Sequence, residues 1–296
     1  MNVTGRYKVF PPKWRHIRVP TTSRPAALAG LALYAPCRRR GIWLQRLAWW
    51  AVGLLGPGIL PGRAIPFEPP DLEVWAELQK RWTEQLGPFD ELAVVERRQS
   101  KRPGLGLLLM SEGEPIAFVR ARQGLDPATD GEVTASRLLR DRRPRVFRVP
   151  GILALGQVGD WGYVASSPLP PAPHRPPREP PLAAIIEEIQ HGLDALPRPD
   201  GTPGGWVPIH GDLTPWNLRL LSDGTLVLLD WERVGWGPRG ADELLYHASE
   251  VALGWRAGVG VGDHDAARFW QSRSSESIED EVLNKVLDEV VAGTVA

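Results

Sequence analysis

One stretch constrains the fold of this chain more than any other: His210-Gly211-Asp212-Leu213-Thr214-Pro215-Trp216-Asn217, followed by Leu228-Leu229-Asp230-Trp231-Glu232. Trp206, Val207 and Ile209 read as a short apolar segment entering a loop. Leu218 to Leu221, Ser222-Asp223-Gly224 and Leu226 to Leu229 then read as strand, tight turn and strand. Such a hairpin returns Asn217 and Asp230 to one end, collecting an acid, an amide five residues later and a second acid thirteen beyond that. Carboxylate and amide oxygens are hard ligands suited to Mg²⁺, which keeps waters and phosphate oxygens as its other ligands. A carboxylate can also orient a hydroxyl and take its proton. Taken singly, His210 and Asp212 would cap a turn and Asp230 would end a strand. Taken together, their types and spacing point to cation-assisted chemistry at an acceptor hydroxyl.

The pattern His-Gly-Asp, four residues, Asn, then a strand ending in Asp-Trp-Glu resembles the catalytic core of the aminoglycoside phosphotransferase and choline kinase family, small-molecule kinases on a protein-kinase-like fold. The resemblance implies an α+β, two-lobed architecture with a small antiparallel-sheet N-lobe and a mainly helical C-lobe. It implies Asp212 as the catalytic carboxylate, His210 as a brace of its loop, and Asn217 and Asp230 as metal ligands. ATP or GTP would be the donor, Mg²⁺ the ion, and a hydroxyl of a small molecule the acceptor. Asp242, in the first turn of a helix expected over Ala241 to Leu253, is similar to the family acid that supports the catalytic loop; an ordinary helix-terminus acid fits equally.

Upstream, Leu92 to Arg98, Leu105 to Met110 and Ile116 to Arg122 alternate as strands, with turns at Pro103-Gly104 and Glu112-Gly113-Glu114. The meander resembles the start of a kinase N-lobe, where a cation on the third strand meets the nucleotide phosphates and an acid on the next helix fixes it. Phe118, Arg120 and Arg122 share one strand face by the period of two. Phe118 is the candidate to pack on the base, Arg120 to reach the phosphates and Glu132, opening a helical segment, to be the acid. The family usually carries Lys where Arg120 stands, a planar fork in place of an ammonium, and Arg122 is an alternative register. Ser100 and Lys101 lie where a phosphate-covering loop would run, and a plain hairpin turn fits that place as well.

Acidic and basic side chains balance at 35 each, so no overall field recommends nucleic acid as a partner. Cys37 is the single cysteine, which fits a reducing, cytoplasmic setting; no secretory signal is expected. Four regions follow: an Arg-, Trp- and Pro-rich extension over 1–68, an N-lobe over 69–167, a stiff linker over 168–181 that holds eight prolines, and a C-lobe over 182–296. Within the extension a helix is expected over Gly41 to Leu55. Packing on the catalytic domain is one fate for it; peripheral contact of residues 41–62 with the inner face of a membrane is the other, given Trp49 and Trp50 beside Arg38 to Arg40 and Arg46. The uncharged run from Leu47 to Gly62 falls short of the roughly 20 residues that span a bilayer. The expectation is therefore a small-molecule kinase, with a catalytically silent module that binds a partner or membrane as the alternative.

Overall fold

Short segments of alternating or continuous burial build one antiparallel sheet in the first half of the chain, and amphipathic helices dominate the second. The computed structural model describes residues 6–12, 17–69, 71–97, 104–127, 130–259, 264–277 and 281–292. It divides into two compact units. The first comprises Met1–Val133, Pro150–Arg175 and Leu221–Asp223, the second Thr134–Val149, Pro176–Leu220 and Gly224–Ala296.

In the first unit, β1 (Arg6–Phe10) and β2 (Ile17–Pro20) pair ahead of α1 (Arg24–Ala32) and α2 (Arg39–Leu55). Next come β3 (Ile65–Pro66), α3 (Leu72–Leu86), β4 (Glu91–Arg97), β5 (Gly104–Ser111) and β6 (Glu114–Gln123), then the start of α4 (Gly131–Arg142), and finally β7 (Ile152–Val158) and β8 (Trp161–Ser166). The strand order is β3-β1-β2-β4-β5-β6-β8-β7, antiparallel throughout. β1–β3, α1 and α2 thus belong to the same body as β4–β8, and the sequence boundary at 68 is not a break in the sheet.

Asp71 starts α3 by accepting the Glu73 and Val74 N–H groups, each at 3.0 Å. Its stripe of Trp75, Leu78 and Trp82 then buries against Leu92, Leu107, Val119 and Tyr163. Burying Trp82 completely is worth about 2–3 kcal/mol relative to leaving it exposed. On the opposite sheet face, Ala26 and Ala29 of α1 pack on Ala93, Leu108 and Met110. Small side chains let that helix come close: a Cβ on Gly30 would lie 2.9 Å from Pro20 Cδ.

The second unit takes up α4 from Thr134 onward and continues with α5 (Leu182–Gly192), β9 (Val207–Ile209), β10 (Leu218–Leu220), β11 (Leu226–Leu228), β12 (Gly235–Gly237), α6 (Ala241–Ala252), α7 (His264–Ser277) and α8 (Glu281–Val291). β10 and β11 form the expected hairpin, Leu218 opposite Leu228. β9 and β12 pair antiparallel as a second small ribbon. One core joins Leu139, Ile185, Ile189, Leu213, Leu218 and Trp231, and another joins Leu244, Leu245 and Ala248 of α6 to Trp270 and Leu287. Residues 278–280 lie outside the described residues, and α7, which precedes them, was not anticipated. Residues 168–181 hold no helix or strand of their own. In this linker Arg178 lays its guanidinium over Trp255 at 3.9 Å from the ring centroid.

Candidate functional site

The loop between β9 and β10 is held by three buried side chains that bond to backbone. Asp242, at the start of α6, accepts the His210 N–H at 2.8 Å and the Gly211 N–H at 3.1 Å. Burial pushes the Asp242 carboxyl up to about 6, and those two N–H donors work against the rise. His210 bridges in the other direction: its Nδ1 accepts the Asp212 N–H at 3.1 Å, and its Nε2 lies 3.0 Å from the Leu229 carbonyl. That pair of partners requires a neutral ring protonated on Nε2, the form that burial favours by lowering the imidazole to about 3. His210 is therefore a strut between the loop and the end of β11, with its ring 4.3 Å from that of buried Trp231.

Gly211 is dictated by crowding. It sits at φ +79°, and a Cβ there would lie 2.0 Å from the Arg233 carbonyl oxygen. No other residue fits that turn without moving the backbone.

Asn217 is placed by a single turn in which its N–H and that of Leu218 both return to the Thr214 carbonyl, at 3.1 and 3.2 Å. Its Nδ2 donates to the Asp212 carbonyl at 2.9 Å and to Asp212 Oδ2 at 3.0 Å. Both amide hydrogens are thus engaged, which leaves the amide oxygen as the atom suited to a cation. The Asn217 carbonyl accepts the Leu229 N–H at 2.9 Å, tying the loop's exit to the residue before Asp230.

Asp230 adopts the left-handed conformation, φ 64° and ψ 60°, where β11 gives way to the 3-10 turn Trp231–Arg233. Asp tolerates that region better than most residues, at a cost on the order of 1 kcal/mol. The turn is fixed by Trp231, whose Nε1 donates to the Leu228 carbonyl at 3.1 Å and whose ring stacks on Phe147. Asp212 and Asp230 are both half-buried, and they feel one another. The Asp212 carboxyl is pushed up to about 7, by burial first and by the negative charge of Asp230 second, while Arg233 and the Asn217 hydrogen bond oppose the rise. Two carboxylates and an amide oxygen make a hard donor set whose repulsion a divalent cation would relieve, so these residues fit Mg²⁺.

The candidate cation expected from the sequence lies in the first unit. Arg120, 4% exposed on β6, places Nη2 at 2.8 Å from both Glu132 Oε2 and Asp130 Oδ1. Glu132 is the acid expected from the sequence. Asp130 was missed: it also accepts the Glu132 N–H at 3.0 Å, and an Asp two residues before a helix-opening Glu is the signal that would have found it. Phe118 shares the Arg120 face of the sheet and is half-buried, so close to Gly106 that a Cβ there would meet its ring at 3.0 Å. Ser100 and Lys101 lie outside the described residues.

Three comparisons bear on this arrangement. Residues 165–271 match the family described as the phosphotransferase enzyme family, a segment that contains the whole loop, hairpin and brace just described. No curated protein matches the chain. Among solved structures, the spectinomycin phosphotransferase APH(9)-Ia in complex with ADP and spectinomycin is similar at 12% identity and TM-score 0.47, covering 74% of this chain and 87% of that one. An aminoglycoside-3'-phosphotransferase of type VIII is similar at 19% identity and TM-score 0.43, over 74% and 98%. A thermostable mutant of aminoglycoside phosphotransferase APH(4)-Ia, complexed with ADP and hygromycin B, follows at 12% identity and TM-score 0.43, over 74% and 92%.

Proposed function

We propose, for a chain whose residues 165–271 are of the phosphotransferase enzyme family, that it moves the γ-phosphoryl group of ATP or GTP to a hydroxyl of a small molecule. Asp212 orients the acceptor hydroxyl and receives its proton. Its carboxyl, raised to about 7, is well matched to proton transfer near neutrality. Asn217 and Asp230 are the residues that would hold Mg²⁺, which when bound neutralises charge on the phosphates. Arg120 binds phosphate oxygens, and Asp130 and Glu132 fix its guanidinium in place. Phe118 supplies an apolar surface for the base.

The observation that carries this reading is the Asn217 side chain. It donates to the Asp212 carboxylate and backbone, so the candidate base and the candidate metal ligand are positioned as one rigid group, which a purely structural loop has no need of. Acceptors consistent with it include a sugar, an amino alcohol or an aminoglycoside-like compound.

One observation favours the catalytically silent alternative: Arg120 is buried and already braced by two carboxylates, as a structural strut would be. Thermal melting with ATP or GTP, with and without Mg²⁺, separates the two. The wild type is expected to gain about 2.7 kcal/mol at roughly 100 times the dissociation constant, and Asp230→Asn is expected to lose the Mg²⁺-dependent part of the gain. A wild type indifferent to Mg²⁺ and nucleotide would establish the silent module instead.

A further inference from the structure

Helix α2 buries one side only. Val52 and Gln45 face inward; Val52 packs with Phe10, Ile17, Val19 and Leu31, and the Gln45 Nε2 donates to the Leu31 carbonyl at 3.1 Å. The opposite side is open: Trp43 is 73% exposed, Leu47 69%, Trp50 63% and Leu54 74%. At about 100° per residue these four fall within an arc of roughly 60°. Arg39, Arg40 and Arg46, all exposed, flank that arc at about 50–70° from its centre line on the same rule. Ile59, in the turn after the helix, adds a further exposed apolar side chain at 50%. The helix does not end here by accident, because Lys8 fixes the turn through its Nζ, 2.9 Å from the Gly58 carbonyl.

Solvated proteins seldom leave so long an aromatic and aliphatic stripe unpartnered. The sequence around it says which partner fits. Residues 1–67 contain eleven lysines and arginines and no aspartate or glutamate, while the other 229 residues carry the remaining 24 basic side chains and all 35 acidic ones. The charge of a neutral chain is thus polarised along the sequence, and the stripe belongs to its wholly basic segment. Self-association through a two-fold contact would set these arginines against their own copies, a like-charge arrangement that opposes a dimer. An anionic surface with an apolar interior suits both features. Tryptophan rings prefer the headgroup level of a bilayer, leucines the acyl boundary, and arginines at the rim reach lipid phosphates. No helix among the described residues is long and apolar enough to cross a membrane, so the stripe would lie in the interface plane.

We propose that α2 docks this protein on an anionic phospholipid bilayer, with Trp43, Leu47, Trp50 and Leu54 inserted and Arg39, Arg40 and Arg46 on the headgroups. The inference is independent of phosphate transfer, since every residue in it belongs to residues 39–54.

The test is co-sedimentation of the full chain with vesicles of phosphatidylcholine alone or with about a third phosphatidylglycerol. Wild type is expected to partition onto the anionic vesicles at least about tenfold more than onto the neutral ones. Trp43→Ser/Trp50→Ser is expected to lose binding to both, and Arg39→Gln/Arg40→Gln/Arg46→Gln to lose the preference for anionic lipid. Because the replaced side chains are exposed, unaltered melting curves would establish that the variants fold. Wild type that stays in the supernatant with anionic vesicles, or a tryptophan variant that partitions like wild type, overturns the proposal. So does light scattering that gives a two-chain mass for wild type and a one-chain mass for the tryptophan variant, which would make the face a contact between copies.

Discussion

Replacing Asp212 by Asn is expected to abolish phosphate transfer and, at alkaline pH, to make the metal-free protein more stable. The Asp212 carboxyl is raised from 3.8 to about 7 in the folded chain, so the native state holds that proton more tightly than the unfolded state. The sign follows from linkage: stability falls as pH rises from about 4 through about 7 and is level above that. At about 1.4 kcal/mol per pK, the charged form costs on the order of 4 kcal/mol above pH 8, an upper bound that water reaching a half-buried side chain reduces to about 2 kcal/mol.

Asparagine keeps the shape and the acceptor. The Asn217 Nδ2 donates to the Asp212 backbone oxygen and to Oδ2, and an amide oxygen at 212 can take the second bond as the carboxylate does. The assay is thermal unfolding of both proteins in a chelator at two pH values. At about pH 8.5 the variant should melt roughly 4–8 °C higher, and at about pH 4 the gain in free energy should shrink to about 0.5 kcal/mol. An equal shift at both pH values, or a loss at the alkaline one, would refute the electrostatic account of Asp212.

Two further substitutions probe the scaffold under that carboxylate. Gly211→Ala puts a Cβ 2.0 Å from the Arg233 carbonyl at φ +79°; denaturant unfolding should register a loss of at least about 3 kcal/mol, and turnover should fall with it. Asp242→Ala strands the N–H groups of His210 and Gly211 and should cost about 2–4 kcal/mol, with kcat reduced more than the KM for nucleotide; an unchanged kcat would show that the loop holds its shape without the brace.

The loop from His210 to Asn217 and its hairpin were legible because residue types recur there at fixed spacing, and the strands from Glu91 to Gln123 were legible because apolar residues alternate along them or fill them. The N-terminal strands were not. β1 reads Arg-Tyr-Lys-Val-Phe and β2 Ile-Arg-Val-Pro, so short that charged edges mask their alternation. Helix α1 escaped for the reverse reason: Ala26, Ala27, Ala29, Gly30, Leu31 and Ala32 are all buried, and a helix covered on nearly every side has no period to read. In α7, two alanines at 266 and 267 carry much of the buried face, too small to mark a stripe beside Phe269 and Trp270. Asp130 could be found as a helix-start acid two residues before Glu132, but its contact with Arg120 emerged only from the fold.

Most of the side chains that brace the loop spend their polar atoms on backbone. His210, the nearest candidate counter-charge, is driven neutral by burial and spends both ring nitrogens on backbone. Asp242 adds a third acid, yet gives its two oxygens to the N–H groups of His210 and Gly211 rather than to a cation. Asn217 points its donors at Asp212, and Arg233 is the cation that opposes the rise in the Asp212 carboxyl without cancelling it. The rise in the Asp212 carboxyl, of which the Asp230 charge is the second cause, is the strain that a divalent cation bound between the two carboxylates would relieve.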